Sequence, residues 1–408
     1  MRNDVVLRSL VSVGLATKPN KSILFTDEPK LHSYVSYPTQ HCISKYKFTE
    51  ESAGTSTDID EVNSKIRAAA ECLERLCLFN FDDNSLTYPY RYENQKNFVD
   101  PAVFSHYRTD PENTKDSDEE IRKQRYRWKE CHDYFNNGTI MIPAQVIYLC
   151  GTGDEFSIQR ESISTGAALG GVDEERAFDN GLLEVVERDA CISSYLRRQR
   201  LISPRNMSEK NAKLLDYLKR YNLETFNFFI PNDFNVPVSM TIVIDRTPIG
   251  PAVSIGSKAS YSYDDALLGS ILESVQCRSY ARFNKNLEFP ERLPTESEIT
   301  DLKNRLFYWY STDRIRDLDF WLKSYQKVDI ERQQTSQKQL LDSFKERGYK
   351  VYIADITLPE IRDSGFQITK VIIPELHPLY LDERAKAFYS VHHGLIEEDA
   401  GLKPHPFT

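Results

Sequence analysis

Apolar positions along the chain recur with two different periods, which predict both helices and strands. The segments AAAECLERLCLF and NGLLEVVERDACI place apolar residues every three or four positions, as helices with a buried face do, and 207–221 and 296–347 share this spacing. The alternating run VPVSMTIVIDRTPIGPAVSIG, centred on a Pro-Ile-Gly turn, predicts a β-hairpin over 236–256. KVYIADIT and FQITKVIIP predict two strands between 350 and 374. Because helices and strands alternate without a regular βαβ rhythm, we expect an α+β fold.

Polar and mixed segments suggest how the chain is divided. Residues 1–50 mix short apolar pieces with Pro, Lys and Tyr, and predict an N-terminal extended segment. The stretch near 107–130 is almost wholly polar, which predicts an exposed insertion or a solvated helix. Residues 51–408 are predicted to form one domain, with a Pro-containing tail at 401–408.

One pattern occurs three times in the chain, and each copy begins with Ser-x-Gly. A glutamate follows the first serine of each copy after 19, 20 and 19 residues, which pairs Ser52 with Glu71, Ser164 with Glu184, and Ser254 with Glu273. Acidic residues shortly after each glycine are suited to the positive end of a helix. The nearly constant spacing predicts three equivalent strand-turn-helix units.

Each copy carries a polar triplet within an otherwise apolar helix. Two copies continue as Glu71-x-x-Glu74-Arg75 and Glu184-x-x-Glu187-Arg188, which puts the three side chains on one helical face; the third has Gln276 and then Arg278. A single copy would be explained best as a solvated face with weak Glu–Arg pairs. Three copies on apolar helices instead favour a shared site, since buried ionisable groups need partners, metals or a charged ligand.

Composition and charge exclude several classes of protein. The 408 residues contain 40% hydrophobic and 28% charged residues, and this composition argues against disorder. A net charge of −9 disfavours general binding to nucleic acid or anionic lipid. We find no signal peptide and no apolar run long enough to span a membrane. Seven scattered cysteines fit reduced thiols, so we expect a cytoplasmic protein.

The repeated acids and arginines restrict the chemistry of the predicted site. Carboxylates from separate helices suit Mg²⁺, while arginines and the amides of glycine turns suit phosphate oxygens, so the site favours a metal–nucleotide complex. The chain has no GxxxxGK[ST] loop, no GxGxxG after a strand and no kinase motif, so any nucleotide is held by another architecture. His392-His393, with Cys72 and Cys77, lacks the spacing of known zinc motifs, and we expect no zinc site.

The three segments resemble the nucleotide-binding motifs of the YcaO superfamily. SISTGAALGGVDEERAFDNGLLEVVERDA resembles the family signature Ser-Thr-Asn-Gly…Glu-x-x-Glu-Arg-Asp-Ala. SAGTSTDIDEVNSKIRAAAECLERLCLFNF and SIGSKASYSYDDALLGSILESVQCRSYARF are similar to its first and third segments, in the same order. KPHPFT resembles the Pro-rich tail of azoline-forming members. The resemblance implies one YcaO-type domain with three repeated units around a central nucleotide site.

The resemblance also implies a reaction and its residues. Family members use ATP and Mg²⁺ to phosphorylate the amide oxygen of a precursor peptide, converting Cys, Ser or Thr to azolines. The resemblance assigns Mg²⁺ binding to the five repeated glutamates. It assigns nucleotide contacts to three uncharged polar residues and three arginines. It assigns catalysis to one glutamate and one arginine of these sets and to the last residue of the tail. The metal ligands would be Glu71, Glu74, Glu184, Glu187 and Glu273; the nucleotide contacts Ser52, Arg75, Ser164, Arg188, Gln276 and Arg278; and the catalytic residues Glu187, Arg188 and Thr408.

The resemblance further implies partners. Discrete subunits of this kind act with a leader-binding protein similar to ubiquitin-activating enzymes, and often with a flavin-dependent azoline dehydrogenase; a homodimer is compatible with the sequence. Two alternatives stay open. The first is thioamide formation with an external sulfur donor. The second is a non-catalytic scaffold, because Thr55, Arg67, Val172 and Arg176 depart from the family pattern.

Overall fold

The computed structural model describes most of the chain, in segments that carry all the elements below. These segments are 2–48, 52–81, 85–87, 90–92, 97–105, 114–149, 158, 167–169, 174–288, 292–331, 334–399 and 401–407. The helices are α1 (Arg2–Ser12), α2 (Gln40–Lys45), α3 (Glu61–Phe79), α4 (Thr114–Lys123), α5 (Glu174–Leu196), α6 (Glu209–Lys219), α7 (Tyr263–Glu288), α8 (Leu302–Tyr308), α9 (Asp319–Leu322), α10 (Gln337–Glu346) and α11 (Pro359–Asp363).

The strands form three larger sheets and two two-stranded sheets. The first sheet has the order β1-β2-β3, the second β12-β11-β10-β9-β13 and the third β7-β6-β14-β15-β8, while β4-β5 and β16-β17 pair separately. The strands are β1 (Asn20–Lys21), β2 (His32–Ser36), β3 (Gly54–Asp58), β4 (Tyr90–Arg91), β5 (Arg125–Tyr126), β6 (Trp128–Asp133), β7 (Gly138–Pro143), β8 (Ala167–Leu169), β9 (Ile202–Pro204), β10 (Glu224–Phe229), β11 (Val238–Ile244), β12 (Val253–Ala259), β13 (Gln326–Val328), β14 (Tyr352–Asp355), β15 (Ile368–Ile372), β16 (Tyr389–Ser390) and β17 (Gly394–Leu395).

The predicted α+β class is confirmed, and so are the elements with the strongest periodicity. The hairpin predicted over 236–256 is the antiparallel pair β11–β12, with Val238 opposite Ala259 and Ile244 opposite Val253. The two strands predicted near the carboxyl end are β14 and β15, which pair antiparallel. Helix α6 occupies the segment with helical spacing at 207–221.

Two segments differ from the prediction. Residues 2–12 form helix α1 rather than an extended segment, and Leu10 of this helix is buried in the core beside Leu73 and Leu76 of α3. The polar stretch near 107–130 includes α4, but its end forms β5 and the start of β6, where Tyr126 and Trp128 are fully buried. Packing against the rest of the protein therefore determines the structure of both segments, which their local composition did not predict.

The core lies on both sides of α5 and α3. Helix α5 packs with the sheet of β10–β12, whose strand β11 is buried at every position. Helix α3 packs against the sheet that contains β6, β7, β14 and β15. None of the helices in the described segments is long and apolar enough to cross a membrane.

Candidate functional site

Two of the repeated segments build the same strand-helix contact. A Cβ placed on Gly54 of β3 would lie 2.1 Å from the carbonyl oxygen of Ala68 and 2.3 Å from the amide nitrogen of Cys72, both on α3. A Cβ on Gly256 of β12 would lie 2.4 Å from the carbonyl oxygen of Ser270 and 2.3 Å from the amide nitrogen of Ser274, both on α7. Each pair of helix atoms lies 14 and 18 residues after its glycine. The neighbouring atoms belong to the helix backbone, which cannot rotate aside as a side chain can. Only glycine, which has no Cβ, therefore permits this close approach.

The residue after each glycine holds the repeated glutamate. The amide nitrogen of Thr55 donates to Glu71 Oε2 at 2.6 Å. The amide nitrogen of Ser257 donates to Glu273 Oε2 at 2.5 Å. These equivalent hydrogen bonds fix each carboxylate where its helix passes over its strand. In the second segment β8 precedes α5, which carries Glu184; Ser164 and Gly166 lie outside the described residues.

The three helices bring their acids to one cavity. It has a volume of about 330 Å³ and is bordered on other sides by leucines from the helices and the carboxyl-terminal segment. Seven residues predicted for the site line it, namely Glu71, Glu74, Arg75, Glu184, Arg188, Glu273 and Gln276. The repeated spacing thus predicted a real convergence of carboxylates, whose role as metal ligands stays a prediction.

Burial and neighbouring carboxylates raise the pKa of two glutamates of the cavity. Burial raises the pKa of Glu74 well above its usual range, and Glu184 and Glu71 raise it further. Burial and the nearby Glu187 raise the pKa of Glu273 to about 8. A bound cation would oppose both effects by stabilising the ionised carboxylates, so these glutamates are suited to metal ions.

Two arginines place positive charge at the same cavity. Arg75 donates from Nη2 to Glu71 Oε1 at 2.9 Å, and Arg188 Nη2 lies 3.5 Å from Glu184 Oε1. Burial lowers the pKa of Arg188, but the surrounding glutamates raise it by more, so its guanidinium stays charged. Its buried Nε atom has no hydrogen-bond partner among the described residues. The donor set, carboxylates for Mg²⁺ and guanidiniums for phosphate oxygens, fits a Mg²⁺–nucleotide complex.

Gln276 joins two of the repeated units. Its Oε1 accepts from the amide nitrogen of Thr57 at 3.0 Å, and its Nε2 donates to Thr55 Oγ1 at 3.0 Å. The residue at the position of the second glutamate in the other copies therefore ties α7 to β3 at the edge of the cavity.

The structure places Glu187 behind the cavity rather than on its wall. Its side chain is buried and accepts from Ser257 Oγ at 2.7 Å and from the amide nitrogen of Ala259 at 2.8 Å. Both oxygens therefore hold strand β12 against α5, and the role of Glu187 as a metal ligand stays a prediction.

Arg278 also lies away from the cavity, in a buried ion network. It donates to Glu28 Oε2 at 3.0 Å, to Asp245 Oδ2 at 2.7 Å and to the carbonyl oxygen of Pro251 at 3.1 Å. Arg75 and Arg188 come four residues after their first glutamates, whereas Arg278 comes five after Glu273. One extra residue turns a side chain by about 100° around a helix, so Arg278 faces a different side of α7 from Cys277. Arg278 therefore does not line the cavity, and its nucleotide contact stays a prediction.

The remaining predicted positions are not on the described wall of the cavity. Ser52 is completely buried next to β3, where its side chain does not line the cavity. Ser164 and Thr408 lie outside the described residues. Arg67, one of the departures from the family pattern, forms an ion pair with Asp58 at 3.0 Å.

Sequence reasoning missed two residues near the cavity. Cys277 is four residues after Glu273, in the position that arginine occupies in the other copies, and it lines the cavity. Aligning the three copies by their first glutamate would have found it. Lys370 of β15 is buried, donates to the carbonyl oxygen of Ile147 at 2.7 Å, and has its pKa lowered to about 7 by burial. Its only signal is a lysine within the apolar run FQITKVIIP.

The tail packs into the core. Arg305 is completely buried and donates from Nη1 to the carbonyl oxygen of His405 at 2.7 Å. Tyr195 OH donates to the carbonyl oxygen of Lys403 at 2.8 Å, and Phe407 packs near Trp321. These contacts immobilise the chain up to the residue before Thr408.

A family model described as YcaO cyclodehydratase, ATP- and Mg²⁺-binding, matches residues 57–377. No curated protein matches the chain by sequence.

Solved structures have a similar fold at low sequence identity. YcaO from Methanopyrus kandleri bound with AMPPCP and Mg²⁺ is 18% identical, with a TM-score of 0.65 over 94% of both chains. A chain of the E. coli microcin synthetase McbBCD complex is 15% identical, with a TM-score of 0.67 over 96% of both. A heterocyclase in complex with substrate and cofactor is 14% identical, with a TM-score of 0.66 over 94% of this chain. The present chain spans about half, 52%, of that heterocyclase.

Proposed function

The chain belongs to the YcaO family of ATP- and Mg²⁺-dependent cyclodehydratases, and we propose that it converts Cys, Ser or Thr residues of a ribosomal precursor peptide to azolines. The observation that carries the proposal is the convergence of Glu71, Glu184 and Glu273 on one cavity together with Arg75 and Arg188. That arrangement is suited to a triphosphate and its metal ions.

In the proposed reaction the substrate side chain attacks the carbonyl carbon of the preceding amide. A new C–S or C–O bond forms as the attacking side chain loses its proton. The carbonyl oxygen then takes the γ-phosphoryl group of ATP, whose bond to the departing ADP breaks. The C–O bond to the phosphorylated oxygen then breaks, phosphate leaves and the amide nitrogen loses its proton, which completes the azoline ring. Phosphoryl transfer of this kind depends on positioning and charge neutralisation rather than on a covalent nucleophile of the enzyme.

The acidic and basic residues of the cavity would have different roles. Glu71, Glu74, Glu184 and Glu273 would hold Mg²⁺, which neutralises phosphate charge when it is bound. Arg75 and Arg188 would contact phosphate oxygens directly. Glu187 and Arg278 are left out of this set, because neither side chain lines the cavity.

We also propose that Thr408 orients or deprotonates the substrate during cyclisation. The packing of His405 and Phe407 supports a fixed position for the residue that follows them. Removing several tail residues would disturb the core, so an extension beyond Thr408 is the cleaner perturbation. We expect the extended chain to bind Mg²⁺–ATP normally and to form azolines more slowly.

The proposed assembly adds a leader-binding subunit similar to ubiquitin-activating enzymes and a flavin-dependent azoline dehydrogenase. The similarity to a chain of the microcin synthetase complex supports a multisubunit context. The leader-binding subunit would present the precursor peptide to the cavity, and the dehydrogenase would oxidise the azoline product.

The test is a reconstitution with Mg²⁺–ATP, the leader-binding subunit and the precursor peptide encoded beside the gene. We expect one water loss per modified residue by mass spectrometry, together with phosphate release. Glu184→Gln should abolish both, whereas Glu209→Gln, which changes an exposed glutamate on α6, should leave both intact. A product in which sulfur replaces oxygen when sulfide is supplied would support thioamide formation. If the peptide shows neither water loss nor sulfur incorporation, the result would support a scaffold role.

A further inference from the structure

A second cluster of side chains that can bind a metal joins helix α5 to the turn between β16 and β17. Asp189 directly follows Arg188, and its Oδ2 atom lies 3.0 Å from Nε2 of His393. His392 and His393 lie in the turn between β16 and β17. One ligand atom from each of these three residues lies within 4.8 Å of the others.

Two of the three ligands are oriented by a further partner. Tyr349 OH lies 2.8 Å from Nδ1 of His392, which leaves Nε2 as the ring nitrogen available to a metal ion. The amide nitrogen of His377 donates to Asp189 Oδ1 at 2.7 Å, which leaves Oδ2 toward the histidines. Metal-binding histidines and carboxylates in proteins are commonly fixed in this way through the atom that does not bind the metal.

The separations are compatible with three ligands of one small ion. Bonds of about 2.0–2.1 Å from zinc to nitrogen or oxygen place tetrahedral ligands about 3.3 Å apart. Asp189 Oδ2 and His393 Nε2 are 3.0 Å apart, which is close to that value, and all three ligand atoms lie within 4.8 Å of one another. A water molecule would take the fourth position, as it does in zinc sites with three protein ligands.

The donor atoms of these groups also suit a cation. A neutral imidazole has one ring nitrogen that carries a lone pair, and a carboxylate oxygen supplies both lone pairs and negative charge.

We propose that Asp189, His392 and His393 bind one divalent transition-metal ion of the zinc class, separate from the Mg²⁺ site. Two imidazole nitrogens and carboxylate oxygens are donors that zinc accepts readily, whereas Mg²⁺ prefers oxygen ligands alone. The ion would connect α5, which carries Glu184 and Arg188, to the segment that leads into the tail. Sequence spacing could not show this site, since 204 residues separate Asp189 from His393.

The experiment titrates Zn²⁺ into the full chain after chelator treatment, with a chromophoric chelator as competitor. Excess Mg²⁺ is present throughout to occupy the carboxylate cavity. We expect one tightly bound equivalent of Zn²⁺, and visible absorption typical of tetrahedral coordination when Co²⁺ replaces it. We also expect the thermal midpoint to rise with Zn²⁺ concentration, because a ligand of the folded state stabilises it.

Variants assign the binding to these residues. His392→Gln and His393→Gln should each weaken Zn²⁺ binding about 100-fold or more, whereas His41→Gln, at an exposed histidine of α2, should not. Circular dichroism and Mg²⁺–ATP binding show whether each variant is folded. The proposal would be overturned if the wild-type protein bound no Zn²⁺ at micromolar concentrations. It would also be overturned if a folded variant with both His392→Gln and His393→Gln bound Zn²⁺ as the wild type does.

Discussion

Replacing Gly54 or Gly256 with alanine tests the contact that positions the repeated glutamates. The added Cβ would lie 2.1–2.4 Å from backbone atoms of α3 or α7, far inside the normal contact distance. Backbone atoms within a helix cannot rotate aside as a side chain can, so the helix must move away from its strand. The hydrogen bond from Thr55 to Glu71, or from Ser257 to Glu273, would then lengthen.

The expected cost has two parts. Overpacking a tight core contact destabilises a protein by about 1–3 kcal/mol, and the lack of any side-chain escape places both substitutions near the upper end. A hydrogen bond to a carboxylate contributes about 1.5–3 kcal/mol. If that carboxylate binds the metal of the nucleotide complex, weakening the hydrogen bond lowers nucleotide affinity by roughly 10- to 100-fold. Gly54→Ala and Gly256→Ala should therefore lower stability by about 3 kcal/mol and weaken Mg²⁺–AMPPCP binding.

Urea unfolding measures the first effect and titration calorimetry the second. Gly138→Ala is the matched control, because its added Cβ would have a single neighbour, at 3.9 Å. We expect this control to unfold and bind as the wild type does. If Gly54→Ala and Gly256→Ala also unfold at the wild-type urea concentration, the close strand-helix approach does not exist in solution.

Three further predictions concern other parts of the site and the tail. The pKa of Glu273 is about 8 in the folded protein and about 4.3 in an unfolded chain, so the folded state binds the extra proton and its stability without Mg²⁺ should fall as pH rises from about 5 to 8. Urea unfolding across this range should show a smaller slope for Glu273→Gln, and equal slopes would contradict the shift. Cys277 lines the cavity, so iodoacetamide should modify it, and Mg²⁺–ATP should slow that modification in peptide maps; no protection would place the nucleotide elsewhere. Arg305→Met leaves the buried Glu383 carboxylate without its ion pair, so it should cost about 3–5 kcal/mol and expose the tail to carboxypeptidase, unlike Arg316→Met at an exposed arginine; an equally protected tail would refute the docking.

The repeated site was predictable because its geometry is local. A glycine, the following residue and a glutamate 17 residues after the glycine form one strand-helix unit, so a constant spacing in sequence becomes a constant position in space for Glu71 and Glu273. The helical period also indicated that Glu74 and Arg75 share the face of Glu71.

Other features depend on contacts between distant parts of the chain. Glu187 and Arg278 have the right residue type near the right place, but Ser257 and Glu28 engage them in the folded protein. Helix α1 and the buried Trp128 lie in segments whose local composition is polar or mixed, and their burial comes from packing against α3 and the sheet of β6. No local pattern encodes such partners.

The most direct test of the account is titration of Mg²⁺–AMPPCP into the wild type, Glu184→Gln and Glu273→Gln, with Glu209→Gln as the control. Each cavity glutamate removed should weaken binding by roughly 10- to 100-fold, and binding by the wild type should require Mg²⁺. The account would be contradicted if both cavity variants bound with wild-type affinity, or if Mg²⁺ made no difference.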